Sequence, residues 1–255
     1  MSNAPTSAEP VMLIAGGSGS IGRAVAAEAL DRGWCVALHG RRAESLSGVA
    51  AALNSERVKP LAVDIAERDG VERLIEQAAA WAGRLDAVVD CVSAGPAGAR
   101  ISGLFSQTDP AAYGAWLELS VAYQQRLAHA ALPWLRRQGG TFIAFVSDAG
   151  RYAAPRQSVL GAARAATIGF VRNLAVEVAR DAIRVHCVSP SFVADSDSAR
   201  RLATQSADRM RRAAERAGLG LPTPADIAPM VVFLCGEGAR RITGQIISIN
   251  GGVNA

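Results

Sequence analysis

Apolar residues fall in short runs separated by longer amphipathic stretches. The runs are Val11–Ala15, Trp34–Leu38, Val58–Val63, Leu85–Cys91, Phe142–Val146, Ile183–Val188 and Gln245–Ile249. They predict buried strands, because a strand covered on both faces is apolar throughout instead of alternating. Between them, apolar residues recur at helical intervals. Ile21, Val25, Ala29 and Leu30 form one stripe, and Ala43–Leu53 and Glu67–Trp81 carry others. Ala112–Arg137 predicts one long helix up to Pro133, with Trp116, Leu119, Leu127, Ala131 and Leu135 inward. Helices are further predicted from Leu160 to Val178, from Ala199 to Ala217 and from Ala225 to Leu234. Strand and helix alternating in this way give an α/β fold, a doubly wound parallel sheet of seven strands with helices on both faces. No repeat or composition break divides it, so residues 10–255 are read as a single Rossmann-like domain after a mobile tail over 1–9.

Composition changes this picture little. Half the 255 residues are hydrophobic and a fifth charged, as in ordinary globular chains. The formal charge of +4 comes from arginines spread over helices, which argues against nucleic-acid binding. Cys35, Cys91, Cys187 and Cys235 are widely spaced in apolar runs, with no metal-ligand spacing, and read as reduced thiols of a cytoplasmic protein. No apolar run reaches membrane-spanning length, and MSNAPTSAEP lacks a signal peptide's apolar core.

The first candidate site follows the first strand, at Gly16-Gly17-Ser18-Gly19-Ser20-Ile21-Gly22. A glycine turn between strand and helix brings backbone N–H groups and a helix N-terminus toward a pyrophosphate. After the second strand, His39-Gly40-Arg41-Arg42 has no carboxylate for a ribose, and Arg41 could pair with a 2′-phosphate. Arg41 and Arg42 could equally solvate the next helix. The second candidate site is Phe142–Ile168, which reads as strand, polar loop and alanine-rich helix.

These two stretches and the order of elements resemble the short-chain dehydrogenase/reductase family from about residue 10 to 252. The resemblance implies an NAD(P)-dependent oxidoreductase and a dinucleotide held by Gly16, Ser18, Ser20, Ile21, Gly22, Arg41, Asp64, Ala94 and Gly95. Ala15 stands where the family's glycine motif has Thr, and Ser20 where it has its middle Gly. Val92-Ser93-Ala94-Gly95 stands for the family's NNAG, keeping Ala-Gly and losing two amides. Asp64 matches an adenine contact, and could equally cap a turn.

The catalytic positions depart furthest. The family places a Ser after the fifth strand, a Tyr thirteen residues on, a Lys four beyond, and an Asn on the long helix. Here these are Ser147, Leu160, Arg164 and Ser120. Leu160 has no proton to give and Arg164 holds its proton too tightly to shuttle it, so Ser147 is vestigial. Losing a positioned acid removes roughly 10²–10⁴ in rate. Tyr152 on the loop is the candidate relocated acid, with Asp148 behind it; packing over the helix is the plainer role for Tyr152. His39, His129 and His186 read as structural. Ser120 is expected to bond its own helix backbone. Asp195, in the family's Thr position, would repel a diphosphate.

The resemblance therefore implies a degenerate, non-catalytic subunit supporting an active paralogue in a hetero-tetrameric hydroxyacyl-CoA-type dehydrogenase, as in the one acting on hydroxy(phenyl)methyl-succinyl-CoA, with a homo-tetramer as the alternative. Cofactor would be absent or weakly bound, with NADP preferred over NAD. Two other readings stand: an active NADPH-dependent reductase of enoyl or ketone substrates using Tyr152, and a nucleotide sensor without turnover.

Overall fold

The apolar runs become seven parallel strands: β1 Val11–Ala15, β2 Cys35–Gly40, β3 Val58–Ala62, β4 Ala87–Asp90, β5 Thr141–Phe145, β6 Arg184–Ser189 and β7 Ile246–Ser248. The computed structural model describes residue 5 and residues 9–93 and 100–254, without the side chains of 203–207. Most of the tail over 1–9 and the pair Ala94–Gly95 lie outside the described residues. The sheet runs β3-β2-β1-β4-β5-β6-β7. Strand order reverses between β1 and β4, where Met12 pairs with Ala87 and Ala15 with Asp90. Chain connections leave in opposite directions there, which opens a crevice at the carboxyl ends of the strands.

Helices cover both faces. On one, α3 (Gly70–Ala82), α5 (Tyr123–Leu135) and α6 (Ser158–Glu177) bury Leu74, Leu127 and Val171 against Leu13, Val88 and Phe142. On the other, α1 (Ser20–Asp31), α2 (Ala43–Leu53) and α8 (Pro224–Cys235) bury Val25, Leu46 and Val231 against Ile14, Leu38 and Ile143. The central strands β1, β2 and β4 are buried at every residue, which is why they read as unbroken apolar runs. Helix α6 is long and apolar enough to cross a membrane by length and composition. Its Ile168, Val171, Leu174 and Ala175 belong to the core.

The long helix differs from expectation. It is α4 (Tyr113–Leu117), a widened π-helical turn over Glu118–Ala122, and then α5. Ser120 lies in the widened turn and donates its hydroxyl to the Trp116 carbonyl, the backbone bond its sequence context suggested. A side chain that competes for a carbonyl in the helix ladder loosens the local winding. Helix α7 (Asp197–Arg216) starts two residues before the expected Ala199, and that shift matters for the site.

Candidate functional site

The glycine turn is built by packing. Gly16 sits at φ +75°, and a Cβ there would stand 2.8 Å from the Cys91 carbonyl and the Val92 nitrogen. A Cβ on Gly22 would fall 2.6 Å from the Gly16 oxygen. Only glycine lets the turn, helix α1 and the end of β4 meet so closely. His39 then fixes the turn. Its Nδ1 accepts from Gly16 N–H at 3.2 Å, and its Nε2–H donates to the Val63 carbonyl at 3.0 Å. Burial lowers its pKa, keeping the ring neutral as that tautomer requires, and its role is structural as expected. Ser18 lies against Gly40, and Ile21 lines the crevice. Arg41 is exposed just past β2, a position open to a 2′-phosphate. Asp64 accepts from Ala66 N–H at 3.0 Å, so the turn-capping role is realised.

The N-terminus of α1 carries a carboxylate from the chain itself. Asp197 accepts from Ser20 N–H at 2.9 Å, and Ser20 Oγ accepts from Asp197 N–H at 2.8 Å. This reciprocal pair joins the first residues of α1 and α7. Partial burial raises the Asp197 pKa, but the Ser20 hydroxyl and N–H, with Arg200, pull it below its ordinary value. The carboxylate thus stays charged at neutral pH, on the helix terminus that would attract a diphosphate. Repulsion was expected from Asp195. Asp195 is instead exposed, at φ +55°, and the carboxylate bonded to the helix is Asp197. The missed signal was Ser196-Asp197, an N-cap and first-turn acid for α7; Ser196 Oγ does accept from Ala199 N–H at 3.0 Å. As arranged, the first amide of α1 is taken by the chain's own carboxylate.

The catalytic stretch faces a cavity of about 640 Å³ lined by Ser147, Tyr152, Leu160 and Arg164, with α7 along its other side. Ser147 sits in extended backbone after β5, its hydroxyl accepting from Ala149 N–H at 3.4 Å. Leu160 presents only methyl groups there. Arg164, half-buried at the cavity wall, donates to the Phe145 carbonyl at 3.4 Å. Burial lowers its pKa, and Asp90 opposes that. Ser120, buried and turned to its own helix, does not line the cavity. Of the relay positions, the structure brings Ser147, Leu160 and Arg164 together and leaves Ser120 outside.

The three tyrosines have separate fates. Tyr113 shares a hydrogen bond with Thr108 Oγ1, and Tyr123 is buried and donates to Asp90 at 3.3 Å. Tyr152 alone of the three lines the cavity, with the Arg151 guanidinium 5.2 Å from its ring centre. Asp148 is no free acid. Its two oxygens accept from Ser189 Oγ (2.9 Å), Asn250 Nδ2 (2.7 Å) and Asn254 Nδ2 (3.0 Å), locking the last turn of the chain to the loop after β5.

A buried polar network under the cavity was not foreseen. β4 ends at Asp90, so the residues leaving the strand are Asp90 and Cys91, ahead of the expected Val92–Ser93. Asp90 accepts from Gln124 Nε2 (2.8 Å) and from Val92 N–H (3.1 Å), and Thr167 donates to Gln124 Oε1 (2.8 Å). The polar tether that seemed lost from this end of the sheet is thus a carboxylate. Burial raises the Asp90 pKa to about 6, against the pull of its hydrogen-bond donors. A lone Asp closing an apolar strand was the available signal.

A doubly wound sheet with a glycine turn at its switch point places the chain in the dinucleotide-fold class. The family model described as enoyl-(acyl carrier protein) reductase matches residues 15–254. The chain is 33% identical over 242 residues to nodulation protein G of Rhizobium sp. (strain N33), covering 94% of this chain and 95% of that one. It is 30% identical over 247 residues to subunit BbsC of the (2S)-[(R)-hydroxy(phenyl)methyl]succinyl-CoA dehydrogenase of Thauera aromatica, covering 96% and 94%. An NADPH-bound short-chain oxidoreductase from Pseudomonas aeruginosa PAO1 with an atypical catalytic centre shares the fold at TM-score 0.85 and 24% identity, each chain covered to 96%. The chain belongs to the short-chain dehydrogenase/reductase family.

Proposed function

We propose that this chain is a degenerate, non-catalytic subunit that lends the family scaffold to an active paralogue in a hetero-tetrameric dehydrogenase of the hydroxyacyl-CoA type. The observation that carries the reading is the coincidence of two losses at opposite ends of one cleft. Leu160 stands where a proton donor is needed, and Asp197 stands where a diphosphate would lie. Either alone could be compensated; together they remove both proton supply and cofactor seat. The rest of the fold is intact, including the packed glycine turn and the edge strand β7. The relative BbsC, named as one subunit of a succinyl-CoA dehydrogenase, is consistent with such a division of labour. On this reading cofactor is absent or weakly held, NADP being favoured over NAD by Arg41.

The test is reconstitution. The purified chain should show no NADPH-dependent reduction of acyl thioesters. Mixed with a complete family member that carries Ser, Tyr and Lys at these positions, it should form a mixed tetramer by native mass spectrometry. Turnover by the chain alone, abolished by Tyr152→Phe, would establish instead the second reading, a reductase with a relocated acid. The position of Tyr152 in the cavity is what favours that alternative.

A further inference from the structure

The cavity's charge is lopsided. Arg156, Arg164, Arg201, Arg209, Arg212 and Arg216 line it, against one carboxylate, Asp148, which is already engaged by three donors. Four of the arginines are occupied. Arg164 donates to the Phe145 carbonyl, and Arg212 pairs with Asp208 at 2.6 Å. Arg216 holds the Val253 carbonyl and Asn254 Oδ1, and Arg201 has a partner as well. Arg156 and Arg209 line the same cavity with no ion pair or side-chain hydrogen bond among the described residues. Burial, then the Arg156 charge, lowers the Arg209 pKa.

The half-buried Arg209 guanidinium lacks a counter-charge, a cost that an anion shared with the exposed Arg156 would offset. The loop supports this reading. Arg156 sits at φ +71°, a left-handed conformation that is strained for a residue with a Cβ, and its carbonyl is tied to Gly103 N–H at 2.9 Å. Strain of this kind concentrates where a side chain is held for use.

We propose that Arg156 and Arg209 form an oxyanion site in the outer part of the cleft, which takes the carboxylate or phosphate of an acidic ligand. The site rests on the charge of α7 and the loop before α6, so it goes beyond the question of turnover and would exist in an active or an inactive subunit. Its failure is distinguishable from failure of the subunit reading, which is tested by reconstitution and dinucleotide binding.

The experiment titrates the full chain with succinate, with coenzyme A and with inorganic phosphate, read by calorimetry and by Trp fluorescence. Binding should weaken about tenfold in Arg209→Gln and in Arg156→Gln, the loss of one charge-assisted contact, and should be largely kept in Arg209→Lys. Succinate binding without coenzyme A binding identifies a carboxylate site, and the reverse a phosphate site; either supports the proposal. Arg156 is exposed, so its Gln variant keeps the test valid should the Arg209 variant fail to fold. No binding by any of the three, or binding that both Gln variants leave unchanged, overturns it.

Discussion

Replacing Asp197 with Asn separates charge from shape at the α1 N-terminus. The amide oxygen can still accept from Ser20 N–H, so the 2.9 Å contact survives while the negative charge goes. A charge at a helix N-terminus contributes about 0.3–1 kcal/mol. In a domain of this size that is a fall in Tm of about 1–4 °C. For a dinucleotide the balance is reversed. A carboxylate about 4 Å from a phosphate charge repels it by about 1 kcal/mol in water and about 4 kcal/mol near a protein surface. Asp197 is partly exposed, with 39% of its side chain accessible, so the lower part of that range applies, about tenfold in Kd. The Asn variant should therefore bind NADPH about tenfold more tightly than the parent while losing a little stability. Because the Asp197 pKa is lowered, its contribution to stability is present above the ordinary carboxylate pKa and lost as pH falls through the folded value. Acidification to about pH 5 should thus not substitute for the mutation. Calorimetric NADPH titrations and thermal melts of both proteins measure all of this. Identical NADPH affinities, whether both absent or both tight, would refute the claim that Asp197 guards the cradle.

Other consequences follow from the buried groups. The raised pKa of Asp90, from an ordinary 3.8 to about 6, means its contribution to stability is full below about pH 4 and is lost as pH rises through 6. Asp90→Asn should flatten that part of the urea-stability profile by up to ~3 kcal/mol; an unchanged profile would put the titration elsewhere. A Cβ on Gly150 would stand 2.7 Å from Arg164 backbone and side-chain carbon, so Gly150→Ala should cost about 1–3 kcal/mol, a fall in Tm of several degrees. Full stability in that variant would contradict the tight seating of the loop on α6. Leu160→Tyr with Arg164→Lys rebuilds the proton donor but leaves Asp197 in place, so ketone and enoyl-thioester assays should stay at background; activity in that double variant alone would show that the cradle is open.

Much of the fold was legible because covered parallel strands read as apolar runs and their helices carry stripes on one face. Most strand ends slipped by one or two residues, since an apolar run does not show where hydrogen bonding stops. Leu160 and Arg164 were legible as losses, being named by spacing from Ser147. Asp197 was not, because its partner Ser20 lies 177 residues away and only folding brings the first turns of α7 and α1 together. The same holds for Asp90, whose burial depends on Tyr123, Gln124 and Thr167 arriving from α5 and α6. The widened turn around Ser120 depends on which carbonyl the hydroxyl takes, which the sequence pattern leaves open.

The most direct test of the central claim is calorimetric titration of the purified, full-length chain with NADPH, NADP, NADH and NAD. A cleft with a carboxylate on the first amide of its phosphate cradle should hold all four weakly or not at all, well short of micromolar affinity. Micromolar binding of NADPH by the unmodified chain would contradict the account and return the protein to the ranks of working reductases.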